Sequence, residues 1–227
     1  MIIINNLNVS YEKETPVLSS VDLSFQNNSI HGIVGLNGAG KTTLLNTIYG
    51  IKKNDSGEIL LNGQKINRKY ISYLETENYF YPNITGEEHL KIFKSDGFNI
   101  AQWNELFKLP LKDLIDTYST GMKKKLAILS VIKQNKEVMI LDEPFNGLDL
   151  ETVRILRSIL LNLKESRIII VTSHVLETLT NLCDVISYLE DGKVLFTKTV
   201  TEFPDFQNEI YRRIEERNKE AIEKLTY

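Results

Sequence analysis

The run Gly35-Leu36-Asn37-Gly38-Ala39-Gly40-Lys41-Thr42 decides the fold. It matches the pattern G-x-x-x-x-G-K-[ST], and its flanks supply the context that pattern requires. Before it, Ile30-His31-Gly32-Ile33-Val34 reads as a short strand. After it, residues 43–49 continue as a helix, and Gly50 suits the helix C-terminus. Glycines at this spacing let backbone N–H groups turn inward around an anion. A helix starting near Gly40 aims the positive end of its dipole at the same point. Lys41 is expected to reach the β- and γ-phosphates of ATP, and the Thr42 hydroxyl to ligate magnesium.

Working outward, Val138–Leu141 and residues 168–171 are apolar throughout, as strands covered on both faces tend to be. Between them Val153, Leu156, Ile159, Leu160 and Leu163 form one helical stripe. Strands alternating with helices predict a parallel α/β sheet. Upstream, Leu7, Val9 and Tyr11 alternate with polar residues, and Val21, Leu23 and Phe25 repeat that pattern after Pro16. The apolar residues 1–4 are ended by Asn5 and Asn6 with no charged segment before them, so a first strand is expected rather than a leader. Residues 59–62 and 71–74 read as short strands around the Asn62-Gly63 turn. From 85 to about 133 the apolar residues fall at helical spacing, broken at Gly97 and Pro110. After Pro204, the residues Phe206, Ile210, Ile214, Ala221 and Leu225 make an apolar stripe, read as a terminal helix packed on its own domain.

The 227 residues are 42% hydrophobic and 25% charged, an ordinary globular composition. A net charge of -3 lacks the basic excess of a dedicated nucleic-acid binder, so no nucleic-acid partner is expected. The single cysteine, Cys183, allows no internal disulfide, which suits a reducing compartment. No apolar run approaches the roughly 20 residues of a membrane helix.

Leu141-Asp142-Glu143-Pro144 closes the first apolar strand. Ligands of open α/β sheets bind beyond the carboxyl ends of the strands. Asp142 is therefore expected to hold magnesium, and Glu143 to accept a proton from an attacking water. Val171-Thr172-Ser173-His174 closes the second. There His174 is either structural or in contact with the γ-phosphate. Tyr118-Ser119-Thr120-Gly121-Met122 opens a helix that Ser119 can cap. Lys123, Lys124 and Lys125 oppose the dipole of that helix. They suit an anion or form a solvated basic turn, and the residues alone favour the turn.

In this order, these four segments resemble the ATP-binding cassette of ABC transporters over roughly residues 1–200. Residues 35–42 are similar to its Walker A, and residues 138–143 to its Walker B. Asn146-Gly147-Leu148-Asp149 looks like its D-loop and His174 like its switch histidine. Ser119-Thr120-Gly121 looks like the family signature, with Thr120 in place of the first Gly of L-S-G-G-Q and Met122 in place of the Gln. The resemblance implies an α/β P-loop cassette with a RecA-like core, an antiparallel β subdomain and an α-helical subdomain at about 85–133. It implies a cassette domain over 1–202 and a helical extension over 203–227.

The resemblance also implies site roles. Gly35, Asn37, Gly38, Ala39, Gly40, Lys41, Thr42 and Thr43 hold the nucleotide, and Tyr11 stacks on adenine. Two cassettes pack head to tail, so Ser119 and Gly121 of a second copy face Lys41, and Asp149 links the two sites. Glu143 acts as general base, with Lys41 and His174 on the phosphates. The family carries a glutamine after the strand at 71–74. Aligning Tyr81-Pro82 with the family's similar pair puts Thr76 there, between Glu75 and Glu77. Either Thr76 still ligates magnesium through its hydroxyl, beside Thr42 and Asp142, or Glu77 substitutes for the glutamine.

The pattern around Tyr81-Pro82 and Ser119 looks most like bacterial drug and bacteriocin exporters. In those, a separate membrane subunit inserts a short helix into a groove, which Tyr79, Phe80 and Tyr81 line here unless they fill the subdomain core. The expected function is an ATPase with ATP and Mg2+ as cofactors, powering export through a separate transmembrane permease. The expected assembly is a homodimer of cassettes at the inner face of the cell membrane, touching the membrane only through the permease. The alternatives are a nucleotide-gated scaffold or soluble mechanoenzyme with little hydrolysis, and a plain P-loop kinase.

Overall fold

The computed structural model describes residues 1–11, 15–95 and 97–223. Its strands form two sheets. One holds β1 (Ile2–Ser10), β2 (Pro16–Phe25), β4 (Ser56–Leu61) and β5 (Gln64–Lys65), antiparallel in the order β2-β1-β4-β5. The other holds β3 (Ser29–Val34), β6 (Ile71–Leu74), β7 (Val138–Leu141), β8 (Ile168–Ser173), β9 (Val185–Glu190) and β10 (Lys193–Thr199), in the order β10-β9-β3-β8-β7-β6. It is parallel apart from the β9–β10 pair.

The helices are α1 (Lys41–Tyr49), α2 (Gly86–Ile92), α3 (Ile100–Phe107), α4 (Thr120–Lys133), α5 (Leu150–Leu163), α6 (Leu176–Thr180) and α7 (Phe203–Glu223). Strand alternation splits the interior into two cores. Val138 and Ile140 of β7 meet Leu44, Leu45 and Ile48 of α1, between the two sheets. Met139 and Leu141 meet Leu126 and Leu129 of α4 and Leu156 and Leu160 of α5. Each such side chain contributes about 1.5–3 kcal/mol on full burial. The apolar strands are thus covered on both faces, as their composition requires.

Several expectations need correction. The opening strand does not end at Asn5-Asn6: β1 runs through both, with a register shift between Ile4 and Leu7 and Asn6 at φ 47°. The bulge moves the buried parity by one residue, so Ile2, Ile4, Leu7 and Val9 all reach one core. The Asn62-Gly63 turn joins β4 to β5, whereas 71–74 belongs to the other sheet. Strands β9 and β10 were not foreseen; Asp191-Gly192, with φ 46° and 76°, is the tight turn between them. Phe206 and Ile210 of α7 are buried and Ile214 packs beside them. Leu225 and the side chain of Ala221 lie outside the described residues. Among the described residues, no helix is long and apolar enough to cross a membrane.

Candidate active site

Residues 35–40 carry the chain from β3 to α1. A Cβ on Gly35 would lie 2.2 Å from the Leu189 carbonyl oxygen, so only glycine fits there. Gly40 takes φ 104° and precedes α1 without a side-chain cap, and the first turn carries no acidic residue. The N–H groups of that turn remain available to an anion. The buried Lys41 Nζ donates to the carbonyls of Gly35 at 2.7 Å and Leu36 at 3.3 Å, bracing the loop. Burial lowers its pKa, and the charges of Glu143 and Asp142 oppose that.

Across the cleft, Asp142 is fully buried at the end of β7. Its Oδ2 accepts from the hydroxyls of Thr42 at 2.7 Å and Thr76 at 2.8 Å, and its Oδ1 from Thr172 at 2.5 Å. Thr172 Oγ1 also accepts from the backbone N–H of Glu143 at 3.0 Å. Glu143 itself stands at φ 47°, a backbone state that side chains other than glycine rarely adopt. Its Oε2 lies 3.1 Å from Nδ1 of His174 at the end of β8.

The cleft between these walls holds about 510 Å³ and is lined by Val17, residues 37–43, Thr76, Asp142, Glu143, Asn146 and His174. Two hydroxyls and one carboxylate are hard oxygen donors of the kind magnesium takes. Among the described residues, no group of three His, Cys, Asp or Glu side chains is placed to hold a metal ion by itself. A cation here would complete its shell from phosphate and water, as magnesium does at phosphate sites.

The structure brings Asn37–Thr43, Thr76, Asp142, Glu143 and His174 to this one cleft. Glu77 is exposed and does not line it. Tyr11 stands at the edge, exposed, where its hydroxyl accepts from Thr43 Oγ1 at 3.4 Å. Ser119, Gly121 and Asp149 lie outside the cleft lining. Ser119 caps α4 through Met122 N–H at 3.3 Å. A Cβ on Gly121 would lie 3.3 Å from the Gly147 carbonyl oxygen, so signature and D-loop segments of one chain adjoin. Asp149 caps α5 through Thr152 and pairs with Lys125 at 3.0 Å; both hold its carboxyl well below the usual range.

The sequence reading missed the cleft roles of Val17 and Thr172 and the burial of Lys124, and named Asn146 only within the D-loop-like segment. Val17 and Asn146 line the cleft. Thr172 ties Asp142 to Glu143, and its position one step inside an apolar strand end was the signal. Lys124 belongs to no solvated turn: it is buried, and the charges of Asp142 and Glu143 act on it. It shares a helical stripe with the buried Ile128 and Val131, which was legible at four- and seven-residue spacing. Beyond Thr76, Tyr79 and Tyr81 are exposed in edge contact at 5.6 Å. Tyr79 and Phe80 line a groove of about 220 Å³ with Tyr73, His89 and Gln134.

A phosphate loop on a parallel sheet, facing a strand-end Asp-Glu pair and a histidine on the next strand, defines a P-loop nucleotide-binding cassette. The ABC transporter family profile matches residues 18–146. The lantibiotic transport ATP-binding protein SrtF of Streptococcus pyogenes is 30% identical over 87% of this chain and 90% of its own length. The putative ABC transporter ATP-binding protein AlbC of Bacillus subtilis is 28% identical over 93% of this chain and 97% of its own. A solved ATP-binding subunit of an ABC transporter superposes with a TM-score of 0.78, at 26% identity over 89% of this chain and 91% of that one. The cassette MJ0796, solved as a post-hydrolysis dimer with ADP and phosphate, shares the fold with a TM-score of 0.75 at 22% identity, over 88% and 99% of the two chains. The chain belongs to the ABC transporter family, as an ATP-binding subunit.

Proposed function

We propose that this chain hydrolyses ATP to drive export through a separate transmembrane permease. The observation that carries the reading is the convergence of Thr42, Asp142, Glu143 and His174 in one cleft at the end of the P-loop. Residues 35–43 cradle the phosphates, with Lys41 supplying positive charge and Tyr11 offering a face to adenine. Lys52 covers one side of the Tyr11 ring at 4.6 Å. Thr42, Asp142 and Thr76 would hold magnesium, which supplies charge neutralisation on the phosphate oxygens. Glu143 accepts the proton of the attacking water, and His174, bonded to Glu143, steadies that carboxylate and reaches the γ-phosphate.

Ser119 and Gly121 lie outside the cleft, which supports their working across a dimer, with a second copy closing each nucleotide. We assign the cassette to 1–202 and the terminal helix to 203–227. The groove at Tyr79 and Phe80 suits the permease, and peripheral residence at the inner face of the cell membrane follows. The transport names of SrtF and AlbC support export. The full-length Glu143→Gln variant tests the reading by light scattering: ATP with magnesium should convert it to a dimer. A monomer at saturating ATP would contradict the two-copy site.

A further inference from the structure

Resting on the reading of His174 as a residue of turnover, we propose that Tyr211 on α7 is a positioning residue for ATP hydrolysis. Through Glu177 it fixes the segment that carries His174, so the terminal helix supports the active site. Tyr211 does not line the nucleotide cleft and touches no phosphate site itself.

His174 stands between β8 and α6, with its side chain half exposed. Val175 beside it is exposed too, and its N–H donates to Ser173 Oγ at 2.9 Å, a bond to its own strand end. Against this segment lies a cavity of about 260 Å³, lined by Leu36, His174, Glu177, Tyr188, Ile210 and Tyr211 among others. One wall is the start of the phosphate loop and another is α7. Side chains that border a void lose contacts on that side, so packing alone leaves the segment room to shift.

A polar tie spans this gap. Glu177, three residues after His174, accepts through Oε1 from the Tyr211 hydroxyl. The same oxygen accepts from Gln207 Nε2 at 3.3 Å, and Gln207 Nε2 donates to the Tyr211 hydroxyl oxygen at 3.1 Å. The Tyr211 bond holds the Glu177 carboxyl below the usual carboxylate range, so the acceptor is charged at neutral pH. Bonds to a charged acceptor are the stronger kind. The other end of the tie is firm: Phe206 and Ile210 of α7 are buried in the core. Leu176 and Leu179 hold the inner side of α6, and Tyr211 holds its outer side through Glu177. Without the hydroxyl, the segment can move into the cavity and draw His174 away from Glu143.

Phosphate release over a range of ATP concentrations tests this on full-length wild type, Tyr211→Phe, His174→Ala and the double variant. Tyr211→Phe keeps the ring and removes only the donor. A misplacement of about 1 Å costs up to about 10²-fold in rate. The expected loss in Tyr211→Phe is about three- to tenfold in kcat, with KM for ATP changed by less than about twofold. In the His174→Ala background the same substitution should change nothing further, because coupled residues are not additive. Glu177→Gln, whose amide oxygen still accepts, should keep most of kcat, whereas Glu177→Ala should match Tyr211→Phe. That pair carries the test if Tyr211→Phe does not fold. If His174→Ala keeps full turnover, the reading of His174 fails and the role of Tyr211 with it. If His174→Ala loses turnover while Tyr211→Phe stays fully active, the role of Tyr211 fails alone. It fails alone too if Tyr211→Phe costs the same in both backgrounds, or if Glu177→Gln is as impaired as Glu177→Ala.

Discussion

Nδ1 of His174 lies 3.1 Å from Oε2 of Glu143, so neighbouring parallel strands deliver the proposed base and a histidine to one point. Glu143 is nearly buried and His174 remains half exposed. The geometry predicts that His174→Ala lowers kcat by about 10²–10³-fold, within the range of general acid–base effects, with ATP affinity little changed. Phosphate release and nucleotide-binding titrations check this. A fall in affinity alone, with kcat kept, would place His174 in binding rather than in turnover.

Thr76 offers a second test. Its hydroxyl shares Asp142 Oδ2 with Thr42. Thr76→Val keeps the shape and removes that bond, and turnover should fall about tenfold, the worth of one bond to a charged group. Thr76→Gln should keep or raise turnover, since its amide reaches the same region. Steady-state ATPase rates decide; a severe loss in Thr76→Gln would mean that another residue fills this role.

His31 sets an acid limit on stability. It is buried, with Nε2 3.0 Å from Ser29 Oγ and 3.3 Å from the Gln26 carbonyl oxygen. Burial outweighs the Gln26 bond and the Asp184 charge and lowers its pKa from 6.5 to about 4. The unfolded chain protonates this histidine near 6.5 and the folded chain only near 4, so between those values the unfolded state binds more protons. Stability is therefore complete above pH 6.5 and is lost as pH falls towards about 4. The loss attributable to His31 is about 3 kcal/mol at most. Urea unfolding at about pH 7.5 and about pH 4.5 should show His31→Gln losing less stability on acidification than wild type. Equal losses would assign the acid sensitivity elsewhere.

The terminal helix is part of the core. Phe206 is fully buried against Phe196 and Phe203, with ring centres 5.4 and 6.3 Å away. Phe206→Ala should cost about 3–5 kcal/mol in denaturant unfolding. A change below about 1 kcal/mol would mean that α7 docks loosely.

The phosphate loop, its helix and the central strands were legible because glycine spacing and apolar runs are local signals. Residues 41–49 form α1 and Gly50 takes the left-handed state at its end, as expected. The acidic pair was legible from its strand end taken with the phosphate loop, whereas spacing left His174 open between a structural and a phosphate-contacting role and only the family resemblance chose. The bulge at Asn6 was not, because it keeps one buried face while breaking the period of two. The β9–β10 hairpin escaped notice although Asp191-Gly192 marks its turn. Lys124 was hidden by its chemistry: its stripe says buried, but its charge says exposed. The roles proposed for Ser119 and Gly121 rest on family resemblance, since no local rule points from them to a second chain.

Phosphate release at saturating ATP and magnesium, compared between wild type and Glu143→Gln, tests the central claim most directly. The expected result is steady turnover by wild type and a loss of about 10²–10⁴-fold in Glu143→Gln, with ATP binding retained. Equal inactivity of the two proteins, with ATP still driving dimerisation, would contradict it and make the chain a nucleotide-gated scaffold.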